Sequence, residues 1–198
     1  LTSLFAKSDA ISMSRLLQAA SAVLMVLWPL LVWASLTHPA WRWLLPLAAV
    51  LFLLRGVALW GRKGALPLVG KWLALLGAGL SLSSGFLQEN HLLLWYPVMV
   101  NGLMLLLFGG SLFSRMPLVE RLARLREPDL PPQGVLWTRR VTQIWCLFFI
   151  FNGSVALATC LINNLTWWTW WNGLISYLLM GLLMAGEWLL RQRRRRRA

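Results

Sequence analysis

Residues 141–162 read VTQIWCLFFIFNGSVALATCLI, 22 residues without a single charge. Wound as a helix, the stretch is about 33 Å long, close to the roughly 30 Å hydrocarbon core of a bilayer. It lacks the alternation of a barrel strand and is about twice too long for one, so a porin-like barrel is excluded. In lipid each backbone N–H and C=O must be satisfied within the segment, and a helix does this. The stretch therefore decides for a membrane-spanning helix.

Five more stretches of the same kind flank it. They are Leu16–Leu36, Trp43–Trp60, Leu66–Leu87 and Leu92–Phe113 before it, and Trp171–Leu190 after it. The first is too long for a cleaved signal peptide and lacks a small-x-small exit, so it counts as a span. The expected fold is all-α, a polytopic transmembrane bundle of six helices within one integral membrane domain, 1–198. Composition agrees. The chain is 59% apolar before its 15 glycines are counted and only 13% charged, with a mean hydropathy of +0.65. Ordinary soluble domains reach roughly 45–50% apolar with glycine included. Most soluble enzyme folds and disordered chains are excluded.

The net charge of +13 would suggest nucleic acid in a soluble protein. Here the basic residues lie between apolar spans, and membrane topology explains them, so no nucleic-acid partner is expected. With the N-terminus in the cytoplasm, 18 of the 19 basic residues fall inside and only Arg42 outside. The positive-inside rule then puts both termini in the cytoplasm. Trp33, Trp41, Trp43, Trp95, Trp167, Trp168, Trp170 and Trp171 fall at the outer boundary, where indole rings anchor. The expected place is a membrane, with lipids as the first partners.

One connection is long, 114–140. In it Leu118, Leu122 and Leu125 repeat at helical spacing, with arginines opposite. Pro117–Arg126 is expected as a short interfacial cytoplasmic helix, with Glu120 and Arg124 paired at i,i+4. Pro128, Pro131 and Pro132 would stop it. The arginine-rich tail 191–198 reads as a solvated or headgroup-bound end. Cys146 and Cys160 lie about 21 Å apart along one helix and cannot bridge. With no His near them, no metal and no cofactor are expected.

Polar residues at membrane depth carry most of the information. Asn101 and Asn152 fall near mid-membrane in spans four and five. Asn172 opens span six, and Glu187 lies one turn from its cytoplasmic end. Two readings stay open. The amides fix helix packing and Glu187 pairs with Arg191 or reaches the interface. Alternatively Tyr96, Asn101, Asn152, Asn172 and Glu187 line a pocket that opens at the inner leaflet beside Arg126, Arg139 and Arg140. Guanidinium forks there suit phosphate or carboxylate, as on a lipid headgroup or a phosphopantetheine-bearing acyl carrier protein.

The run Arg126-Glu127-Pro128-Asp129-Leu130-Pro131, then Thr138-Arg139-Arg140-Val141-Thr142, Trp145, Phe148-Phe149 and Asn152-Gly153, is distinctive. So are Tyr96-Pro97 and Asn101 before it, and Trp171-Asn172-Gly173, Tyr177, Gly181 and Gly186-Glu187 after it. Together they resemble an uncharacterised family of small bacterial inner-membrane proteins, often labelled "ketosynthase" and occasionally "DNA gyrase". The resemblance covers residues 92–190 best. Members tend to be encoded in gene clusters for aryl-polyene or xanthomonadin-type pigments. It therefore implies a Gram-negative inner membrane and a polyene or fatty-acid-like lipid, with polyene-biosynthesis enzymes as further partners.

A ketosynthase needs a nucleophilic Cys flanked by His residues. His38 and His91 map to the outer face, whereas Cys146 lies about one turn from the inner boundary. Ketosynthase chemistry is thus disfavoured, and no catalytic residue is assigned. The expected function is an accessory role in synthesis, docking or export of the lipid. A transporter or flippase, and a small acyl or glycosyl transferase, are the rival readings.

Overall fold

A computed structural model of the protein describes residues 29–41, 44–61, 64–87 and 90–195, with Val23 and Leu27 as single positions before them. The described residues are helical, with short turns and no strand. Among the described residues three helices are long and apolar enough to cross a membrane: Leu92–Leu112, Pro132–Ile162 and Leu165–Arg193. Two shorter apolar helices, Pro46–Leu59 and Pro67–Leu80, precede them. Most of the first expected span, from residue 16, lies outside the described residues, as do Trp43 and the tail end 196–198. The chain forms two compact units, Leu1–Val100 and Asn101–Ala198.

In the first unit, α1 is described over 29–37, α2 is Leu44–Leu59 and α3 is Ala65–Leu87. Helices α2 and α3 pack as a hairpin around Phe52, Ala48, Ala74 and Ala78, all buried. Gly77 makes this approach possible, since a Cβ there would sit 2.6 Å from the Phe52 ring. Gly70 likewise faces Leu59. Small residues that let backbones come close are the common device of membrane helix pairs. A 3-10 stretch, Asn90–Trp95, leads into α4 (Tyr96–Leu112). The expected span from Leu92 is thus α-helical only from Tyr96. Pro97 explains the tight entry, because proline fits a first helical turn and disfavours α geometry just before it.

The second unit holds most of α4, then α5 (Leu118–Arg124), α6 (Pro132–Ile162), α7 (Leu165–Trp170), a π-helical turn (Trp171–Ile175) and α8 (Ser176–Arg195). Phe108, Trp145, Phe148 and Phe149 form its aromatic core, with the Phe108 and Phe149 rings 5.2 Å apart. Helix α6 begins at Pro132, nine residues ahead of the expected span. Proline at a helix start needs no donor, and nothing between Pro132 and Val141 breaks the helix. Its 31 residues measure about 46 Å, well beyond the hydrocarbon thickness. The far end is sharp. Asn163 closes α6 in the left-handed region, φ 54°, and the Asn164 side chain caps α7 by accepting from the Trp167 N–H at 3.1 Å.

Three other expectations change. The interfacial helix is only seven residues long, Leu118–Arg124, and packs on α6. Leu118 is buried there, but Leu125 is 73% exposed, so the leucines do not form one embedded stripe. Glu120 is buried on the same helix and does bind Arg124, at 2.9 Å. The last helical run starts at Leu165 rather than Trp171 and continues to Arg195, through residues expected as a boundary and a tail. Of the indoles expected at the outer boundary, Trp168 is fully buried in the protein, while Trp167 and Trp170 are exposed.

Candidate functional site

The polar residues of the second unit meet on Asn152. Its Nδ2 donates to Asn101 Oδ1 at 3.1 Å, and its Oδ1 accepts from the Trp171 indole at 3.1 Å and from Ser176 Oγ at 2.7 Å. An indole N–H only donates, so Trp171 fixes which end of the amide is oxygen. Asn101, Asn152 and Ser176 are all buried. The neighbouring Gly153 gives Asn101 its place, because a Cβ at 153 would stand 3.0 Å from the Asn101 Cβ.

Trp171 and Ser176 reach one oxygen only because of the π-helical turn. Five residues apart on a straight α-helix, they would point about 140° away from each other. A wide turn whose hydrogen bonds join i to i+5 stacks them on one side. Residues 171–175 form that turn. Sequence leads here to a local irregularity, and the irregularity to a bidentate clasp on α6.

A second polar group lies further toward the Asn163 end. Asn172 Nδ2 donates to the Trp168 carbonyl at 2.9 Å and to Thr159 Oγ1 at 3.5 Å. Asn172 Oδ1 is buried and has no hydrogen-bond partner among the described residues. A buried orphan acceptor costs about 1–3 kcal/mol.

The opposite end of the helices carries the charged contacts. Arg139 donates to the Leu112 carbonyl at 3.3 Å, and Arg121 donates to the Met116 carbonyl at 2.8 Å and to Ser114 Oγ at 3.1 Å. Cations beside the last carbonyls of α4 oppose the negative end of its dipole. Arg191 pairs with Glu127 at 3.2 Å, not with Glu187. Glu187 instead accepts from the Trp137 indole, a long contact of 3.5 Å. Competition explains the change: once α5 and α6 bring Glu127 to the end of α8, Arg191 pairs across elements rather than along its own helix. Arg126 and Arg140 are exposed.

The eight expected site residues therefore separate. Asn101 and Asn152 meet, and Asn172 sits one group further out. Arg140 lies about 18 Å from Asn152 along α6. Tyr96 is buried within the first unit, where it interacts electrostatically with Arg55. Trp171, Ser176, Trp168 and Trp137 are the participants that sequence reasoning missed. A signal existed for Trp168, which stands at i,i+4 spacing from Asn172. No family model, no curated protein and no solved structure matches the chain.

Proposed function

We propose that the protein is a six-span bacterial inner-membrane protein with both termini in the cytoplasm. It serves synthesis, docking or export of a polyene or fatty-acid-like lipid, as a non-catalytic accessory. The observation that carries the reading is the state of Asn152. Its amide is engaged at both ends by Asn101, Trp171 and Ser176. The mid-membrane amides hold helices together, and ligand-facing chemistry falls to the arginine end. The sequence resemblance over residues 92–190 supplies the lipid class. An acyl carrier protein or a polyene-biosynthesis enzyme is the soluble partner of that arginine end.

Gene deletion followed by analysis of the lipid extract tests this. Loss of the lipid is the expected result, and an unchanged extract overturns the reading. Asn152→Ala should lower protein abundance and lipid together. The π-helical turn favours one second reading, a transporter, because such turns recur at functional sites in helices. Lipid accumulating on the inner leaflet of the deletion strain would decide for it.

A further inference from the structure

Arg121, Arg124, Arg139 and Arg191 each bind another group of the chain. Arg140 is exposed, and its side chain makes no hydrogen bond or ion pair among the described residues. It heads a stripe along α6. Gln143, Ile144, Leu147 and Phe151 follow at helical spacing, and all are exposed, Leu147 by 66% and Phe151 by 54%. From Arg140 to Ile162 the helix measures about 33 Å. When Ile162 marks one edge of the hydrocarbon, Arg140 stands at phosphate depth on the other.

We propose that this stripe binds one anionic phospholipid. The phosphate sits on the Arg140 guanidinium with the Gln143 amide as second donor, and an acyl chain lies along Ile144, Leu147 and Phe151. A planar guanidinium presents paired donors that match phosphate oxygens. A phosphate with an alkyl chain directly beneath it is the order of groups in a phospholipid. A soluble carrier protein would use the arginine and leave the apolar positions below it untouched. The net charge of +13 adds a general attraction to anionic headgroups. The proposal rests on α6 crossing the membrane and is independent of the polyene reading.

The test places the full chain in vesicles of phosphatidylglycerol and phosphatidylcholine in equal parts. Electron spin resonance of chain-labelled lipids then measures the preference of the immobilised shell for phosphatidylglycerol. Arg140→Gln should reduce that preference about fivefold, the weight of one arginine at an anionic surface. Arg140→Lys should keep most of it, and Arg193→Gln should change it little. Helical content by circular dichroism identifies a variant that has not folded, and Gln143→Leu, with a smaller loss, then serves in its place. Equal preference in wild type and Arg140→Gln overturns the proposal. So does a variant that keeps its lipid preference but loses binding of an acidic acyl carrier protein. Fusions reporting a periplasmic C-terminus would overturn the topology without touching this result.

Discussion

The α2–α3 hairpin and the α4–α6–α8 group use the same kinds of residue to opposite ends. In the hairpin, Gly70 and Gly77 bring two backbones together over Leu59 and Phe52, and the contact is apolar. In the second unit, Gly153 brings Asn101 against α6, and the space gained is spent on an amide pair. Lipid tails are as apolar as leucine, so helices that lie among them are not driven together by the hydrophobic effect. Close approach gives the hairpin attraction with little direction. Hydrogen bonds to a single amide give the second unit a fixed rotation of each helix, because the donors must point at one atom.

The largest test of this contrast is Trp168→Ala. The indole is fully buried, and removing it should cost about 3–5 kcal/mol in reversible unfolding from detergent. Trp167→Ala, at a position 66% exposed, should cost little. Equal effects would return both residues to the interface. Next, Gly77→Ala should cost about 1–3 kcal/mol by overpacking, with Phe52→Leu in the same chain restoring part of it. Asn152→Ala removes three hydrogen bonds at roughly 0.6 kcal/mol each, about 2 in all. Asn152→Leu should not repair that loss, although it restores volume; repair would mean that packing, not direction, holds the second unit. The smallest effect belongs to Arg191→Gln. Its pair with Glu127 is more than a third exposed, so the change should stay below about 1 kcal/mol and shrink further in 0.5 M salt.

Charge and hydropathy made the helical class and the span near Val141–Ile162 legible, since both follow from composition over 20 or so residues. The Glu120–Arg124 pair was legible from spacing alone. The meeting of Asn101 with Asn152 was legible only as one of two readings, because an amide at mid-membrane depth needs a partner but does not name it. Trp171 and Ser176 were hidden for a physical reason. Their convergence depends on a π-helical turn, and the spacing rules of a straight helix put them on different faces. Ser176 had a further disguise. Serines in membrane helices commonly satisfy themselves on the carbonyl four residues back, as Ser35 and Ser154 do at 2.8 Å. Arg191 misled in the same way, since its i,i+4 carboxylate was visible and its real partner is 64 residues away.

The junction of Asn163 and Asn164 bears on how the protein is made. One residue ends α6 and the next caps α7, so no connecting loop separates the two long helices. A chain that leaves the insertion machinery helix by helix would have to hold α6 in the bilayer while its successor waited outside. A two-residue link leaves that delay no room, and two helices so joined are expected to enter a bilayer as a single hairpin. In the proposed topology Arg139 and Arg140, near the start of α6, and Arg191 and Arg193, near the end of α8, lie on the same side of the bilayer. In that topology neither group is translocated, and only the capped asparagine corner and its tryptophans have to cross.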